Sequence, residues 1–196
     1  MAEESPRAVL VLTGSVAAVK ATELLTLLLR HMHVDVVLTP AALHFVDVSS
    51  LSNCSSHRTT SHDLAIYSDS DEWTSFQRIG DRILHVELRK RAHVLIFAPL
   101  SANSLAKIAN GLCDNLATCI ARCWDFSRCT AIAAPAMNTL MYEHPFTAEH
   151  LDRLRRLGFI LAGPVCKELA CGDSGSGAME DPSAIVDVVR SQLNLS

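Results

Sequence analysis

Four short apolar runs, each ending in small polar residues or proline, constrain the fold more than anything else in the chain. They cover residues 8–13 (AVLVLT), 34–39 (VDVVLT), 94–98 (VLIFA) and 130–134 (TAIAA). Each is too short for a typical helix and too continuously apolar for a strand with one wet face, the mark of strands buried on both sides of a parallel sheet. A fifth run, 159–161, and a shorter edge strand, 64–67, complete the set. Between them lie segments with helical spacing: 16–30, with Leu24, Leu25, Leu28 and Leu29 on one side, then 83–92, 101–110, 114–122, 147–157 and 182–193. Alternation of this kind builds right-handed βαβ units. The expected architecture is α/β, an open parallel sheet with helices on both faces. It forms one domain over 1–196, with a loose tail at 1–7 and a strap at 163–181.

In such sheets ligands sit at the carboxyl ends of the strands. Thr13, Gly14, Ser15 and Thr39 therefore share one edge, as do Ser101 and Asn103 after the third long run. A strand, a Gly-Ser turn and a helix can present free amides to a phosphate. The same Ser15 can equally be a plain helix cap. Two further stretches are expected to meet there. Residues 133–138 (AAPAMN) read as a strand end, halted by Pro135, that exposes an amide side chain at Asn138. Residues 171–179 (CGDSGSGAM) read as a flexible strap with Gly172, Gly175 and Gly177, able to approach a ligand closely.

His85, among apolar neighbours on its helix, is a core histidine unless something else singles it out. The acidic run 69–73 reads as a solvated helix start, and 47–63 as a polar surface loop. Arg153, Arg155 and Arg156 read as a solvated helix face. Seven cysteines, with no CxxC pair and no signal-peptide pattern, argue for free thiols in a reducing, cytoplasmic compartment. Cys113, Cys119, Cys123 and Cys129 crowd together at spacings that match no zinc pattern. A net charge of −4 gives no reason to expect nucleic acid or an anionic membrane surface. No apolar run approaches the ~18 residues that span a bilayer. A 49% hydrophobic content with mean hydropathy +0.22 leaves apolar surface for contacts between subunits.

Six stretches resemble the flavin-dependent cysteine decarboxylases: 14–17 (GSVA), 83–89 (ILHVELR), 98–104 (APLSANS), 111–116 (GLCDNL), 134–141 (APAMNTLM) and 170–179 (ACGDSGSGAM). They follow one another across nearly the whole chain. The likeness is greatest to the branch that decarboxylates 4'-phosphopantothenoylcysteine in coenzyme A synthesis. It implies a flavodoxin-like fold and a homotrimer with FMN where subunits meet. It implies that Gly14, Ser15 and Val16, helped by Thr39, hold the FMN phosphate, and that Ser101, Ala102, Asn103, Ser104 and Ala136 line the flavin. It implies His85 as the catalytic base or proton carrier, Asn138 as the grip on the cysteine moiety and Cys171 as a late proton donor. Lys90, Leu169, Ala170 and Met179 would contact substrate. The implied route passes through a thioaldehyde and an enethiolate.

The sequence departs from the family at Lys90, Arg91 and His93, where Arg, Trp and Asp are usual, and at Tyr142 in place of Trp. Exchanging Trp for Arg at 91 removes an aromatic packing residue. Two other readings accompany the resemblance: a non-catalytic flavin-binding regulatory subunit of the phosphatase-inhibitor type, and a peptide-cysteine decarboxylase.

Overall fold

The computed structural model describes residues 5–54, 62–74, 76–168 and 174–195. From the amino end come β1 (Arg7–Leu12), a 3-10 turn (Val16–Lys20), α1 (Ala21–Leu28), β2 (His33–Leu38), a second 3-10 turn (Ala42–His44), α2 (Val48–Asn53), β3 (Leu64–Ser68), α3 (Asp69–Thr74) and α4 (Leu84–Arg91). Then come β4 (Val94–Leu100), α5 (Ala102–Ala109), α6 (Leu116–Arg122), β5 (Thr130–Pro135), α7 (Thr139–Tyr142), α8 (Pro145–Leu157), β6 (Phe159–Leu161), β7 (Val165–Glu168), β8 (Ser174–Ala178) and α9 (Pro182–Leu193).

Six strands form one parallel sheet in the order β3-β2-β1-β4-β5-β6. Without the short edge strand β3, the remaining five follow a 2-1-3-4-5 order, which is flavodoxin-like. Successive residues feed opposite faces. Leu10, Leu12, Val36, Ile96 and Ile132 pack with Leu24, Leu25 and Leu28 of α1 and Ile185 and Val189 of α9. Val9, Val11, Val37, Leu95, Phe97 and Ala133 pack with Leu88 of α4, Leu105 of α5, Ile120 of α6 and Leu154 of α8. Both layers expected from the apolar runs are present, and they explain why the strands read as continuous hydrophobic stretches.

Helix ends follow local chemistry. Asn115 and Thr118 form a capping box on α6. Pro145 and Pro182 stand in the first turns of α8 and α9, and Gly158 ends α8 at φ 107°.

Several boundaries differ from the sequence reading. The 16–30 segment is a 3-10 turn followed by a helix of eight residues, not one helix. Ser15 caps the tight first turn by accepting from the Ala17 N–H. Part of the 47–63 loop is helical: Asp47 caps α2 and Leu51 beneath it is fully buried. The tail is tied in from residue 6, whose carbonyl accepts the His33 N–H at 2.9 Å. Pro99 and Pro135 lie inside β4 and β5 rather than just past them. Pro135 is the last residue of β5 and Pro99 lies in the register shift between Phe97 and Leu100, so in each place the missing N–H breaks little.

Candidate active site

The sheet reverses its winding between β1 and β4, so the crevice at their carboxyl ends is the topological switch point. Thr13, fully buried, bridges it. Its hydroxyl donates to the Pro99 carbonyl at 2.8 Å and accepts the Ser101 N–H at 2.8 Å. Ser101 caps α5, its Oγ accepting the Ser104 N–H at 3.3 Å. On the other side a Cβ at Gly14 would fall 2.5 Å from the Ala41 Cβ, so only glycine lets the turn after β1 approach the turn after β2. Gly14, Ser15, Thr39, Ser101 and Ser104 are thus brought to one edge, with Ala136 alongside through its N–H to the Leu100 carbonyl at 2.9 Å. Thr39 is buried, and its hydroxyl donates to the Leu12 carbonyl at 3.3 Å, which commits its proton to the sheet edge. Val16 and Asn103 are exposed on the same rim, and Ala102 is half-buried. Thr13 itself lay unassigned on this edge; an apolar run ending in Thr is the signal that pointed to it.

The two stretches expected to meet do so. The Met137 N–H donates to the Gly177 carbonyl at 3.0 Å. At φ 115° Gly177 is in left-handed territory, and a Cβ there would fall 2.5 Å from the Met137 carbonyl oxygen and 3.2 Å from the Tyr142 Cβ. Within the described part of the strap, β7 and β8 pair antiparallel. Asn138 caps α7, its Oδ1 accepting the Leu140 N–H at 2.9 Å. Met179 is buried in the core beside Ala136 and Ala162, where it anchors the carboxyl end of the strap rather than offering an open contact surface. Leu169, Ala170 and Cys171 lie outside the described residues.

His85 lies in a separate neighbourhood, in the first turn of α4. It lines a cavity of about 430 Å³ together with Glu72, Trp73, Phe76, Asn115 and Cys119. Its Nδ1 is 2.5 Å from the Glu72 Oε1, and its backbone N–H donates to the Glu72 Oε2 at 3.0 Å. The acidic run is thus structural as well as solvated: Asp69 accepts the Leu116 N–H at 3.0 Å and Asp71 the Ser68 N–H at 2.7 Å. Burial pushes the Cys119 thiol up to about 11, so it is a neutral group near neutral pH. Residues 134–142 do not line this cavity. Lys90, on the last turn of α4, pairs with Glu87 at 3.0 Å and is also absent from the lining.

Arg91 has a structural answer to the lost aromatic. Its Nε and Nη2 donate to the two oxygens of Asp35, at 2.9 and 2.7 Å, and Nη2 also reaches the Tyr67 hydroxyl at 2.9 Å. Asp35 is fully buried in β2. Burial pushes its carboxyl above the usual range, while Arg91 and Arg7 pull against that shift. Among the described residues, no group of three or more His, Cys, Asp or Glu is arranged to hold a metal ion.

A parallel α/β sheet with a hydroxyl-rich switch point, a Pro-Ala-Met-Asn strand end and a glycine strap seated on it defines a nucleotide-type cofactor protein. The chain belongs to the Flavoprotein family, whose profile matches residues 2–194, and within it to the phosphopantothenoylcysteine decarboxylases. It is similar to the phosphopantothenoylcysteine decarboxylase of Oryza sativa subsp. japonica, at 49% identity over 185 residues, 94% of this chain and 80% of the relative. A solved structure of a PPC decarboxylase with a cysteine-to-serine change, complexed with pantothenoylaminoethenethiol, is 47% identical with a TM-score of 0.90. That alignment covers 97% of this chain and 100% of the other. The solved FMN binding protein AtHal3 is 48% identical with a TM-score of 0.87, covering 97% of this chain and 98% of that one.

Proposed function

We propose that this chain is an FMN-dependent decarboxylase converting 4'-phosphopantothenoylcysteine to 4'-phosphopantetheine and CO2 in coenzyme A synthesis, acting as a cytoplasmic homotrimer. The observation that carries this reading is the seating of the Gly177 strap on the Met137–Asn138 strand end, in a chain that aligns along nearly its whole length with decarboxylases.

The residues present fit FMN. Gly14, Ala102 and Ala136 keep the rim low enough for a flat ring, and the 14–16 turn with Ser15 offers polar groups to a phosphate. FMN would supply two-electron acceptance and return at the substrate's sulfur-bearing carbon, placing a C=S group β to the carboxylate that leaves. His85 would hold and move a proton beside that carboxylate, with Nε2 as the working nitrogen. Asn138, on the rigid head of α7, would orient the cysteine moiety. Cys171 would return the last proton, as a thiol with an ordinary pKa of about 8.5 stays protonated near neutral pH. The strap would exclude water from the reactive thioaldehyde.

Two features support a homotrimer. His85 and Asn138 lie in different neighbourhoods of one chain, so a second copy can bring the two together. Apolar side chains stand exposed at Val19, Ile79, Leu140 and Phe146. Among the described residues, no helix is long and apolar enough to cross a membrane.

The test uses purified protein, its visible spectrum, light scattering for mass, and CO2 release from 4'-phosphopantothenoylcysteine. A yellow trimer that releases CO2 is expected. His85→Asn should abolish release, and Cys171→Ser should permit it but stall afterwards. A yellow protein that binds this substrate and releases nothing would overturn the reading in favour of a regulatory flavoprotein. Release only from peptides ending in cysteine would favour a peptide decarboxylase.

A further inference from the structure

We propose that Glu72 is the positioning residue for His85, fixing both the rotamer of the ring and the nitrogen that carries its proton. The case starts with an orphan donor. Ile83 precedes α4 and supplies no side-chain cap, so the first-turn N–H of His85 needs an acceptor from elsewhere. Glu72 provides it through Oε2 at 3.0 Å, and its Oε1 meets Nδ1 of the same residue at 2.5 Å. One carboxylate thus clamps backbone and ring together, leaving the ring little freedom to turn.

The Glu72 side chain is only 11% exposed and that of His85 25%, so water competes weakly for the carboxylate. Glu72 is held in turn by the rest of α3. Asp69 ties the start of that helix to the Leu116 N–H at the head of α6, and Asp71 ties it to Ser68 at the end of β3.

The chemical consequence follows from donors and acceptors. A carboxylate can only accept, so Nδ1 must carry hydrogen. When the ring is neutral, Nε2 is then the nitrogen able to take a proton. A glutamine at 72 would keep the shape but could turn an NH2 group toward Nδ1, moving the ring hydrogen to Nε2. Glu72 touches neither substrate nor cofactor in this account; it acts through His85.

Only the kinetic part of this proposal rests on the decarboxylase reading, and the test separates the two. The first readout is 15N NMR of the holoprotein labelled at histidine nitrogens, recorded at pH 8.5, with His85→Asn for assignment. Nδ1 should carry the proton in the unaltered protein, and Glu72→Gln should shift it to Nε2. An Nε2-bound proton in the unaltered protein overturns the proposal whether or not any variant folds. The second readout is turnover at unchanged FMN absorbance. Glu72→Gln should lower kcat by roughly 10²-fold with KM nearly constant, the scale of losing a well-placed general acid or base. Glu72→Asp, which keeps the charge, should recover part of it. Variants that alter only thermal stability, with the tautomer and kcat intact, would reduce Glu72 to a helix cap. A protein that releases no CO2 but shows the Nδ1 proton would retain the clamp while the decarboxylase reading fails.

Discussion

The Met137 N–H and the Gly177 carbonyl share a hydrogen bond of 3.0 Å, which seats the strap hairpin on the residue next to Asn138. The contact needs a residue without a side chain, since a Cβ at 177 would intrude on the Met137 carbonyl oxygen. Gly177→Ala should therefore lift the strap off α7. Positive φ in a residue with a Cβ and the lost contact together should lower stability by about 1–3 kcal/mol. Thermal unfolding checks this, and CO2 release should fall as well, because the strap is seated beside Asn138 and, through Met179, beside Ala136.

Thr13 joins the two sides of the crevice through one hydroxyl with two buried partners. Thr13→Val keeps the shape and removes both bonds. The Pro99 carbonyl and the Ser101 N–H are then left buried without a partner, at about 1–3 kcal/mol for such a loss. Chemical denaturation measures the drop. FMN retention on dialysis should weaken as well, since Ser101 sets the start of α5.

Asp35 and Arg91 are a pair in which one member is fully buried and the other 42% exposed. Removing the guanidinium with Arg91→Met strands a buried carboxylate. Solvent screening at Arg91 and the weaker Arg7 contact place the loss at the low end of such cases, about 2–3 kcal/mol. The double variant Asp35→Val with Arg91→Met should recover most of it, and a double-mutant cycle on unfolding free energies reads the coupling.

Cys119 and Cys113 make a pH prediction. Burial raises the Cys119 thiol from the ordinary thiol range, about 8.5–9, to about 11 in the fold. The folded state thus keeps a proton that the unfolded chain loses between those values. The contribution to stability is complete below pH 9 and declines as pH rises toward 11. Iodoacetamide at pH 8 should label the exposed Cys113 well before Cys119, and Cys119 labelling should climb only above about pH 10. Peptide mass mapping after timed quenching distinguishes the two sites.

Much of the architecture was written in local pattern. Strands buried on both faces are apolar at nearly every position, so 8–13, 34–39, 94–98 and 130–134 announced a parallel sheet and its ligand edge within a residue or two. The helices expected at 147–157 and 182–193 end where expected, at Gly158 and near Asn194, although α8 begins two residues early with Pro145 in its first turn. The Pro-Ala-Met-Asn stretch and the Gly177 end of the strap pointed to each other, and they meet at the Met137–Gly177 hydrogen bond. Helix length was less legible: the tight turn at 16–20 and the short α2 depend on how the segments pack, against which local propensity is weak. The pairings that organise the site were not legible at all. Glu72 lies 13 residues before His85, Asp35 lies 56 before Arg91, and Thr13 lies 88 before Ser101. An acid in an acidic run reads as solvated, and an aspartate inside a strand reads as an anomaly, until the fold delivers a partner. Apolar burial is a property of a residue and its neighbours in the chain, whereas a buried charge or hydroxyl is tolerable only through a specific partner brought from elsewhere.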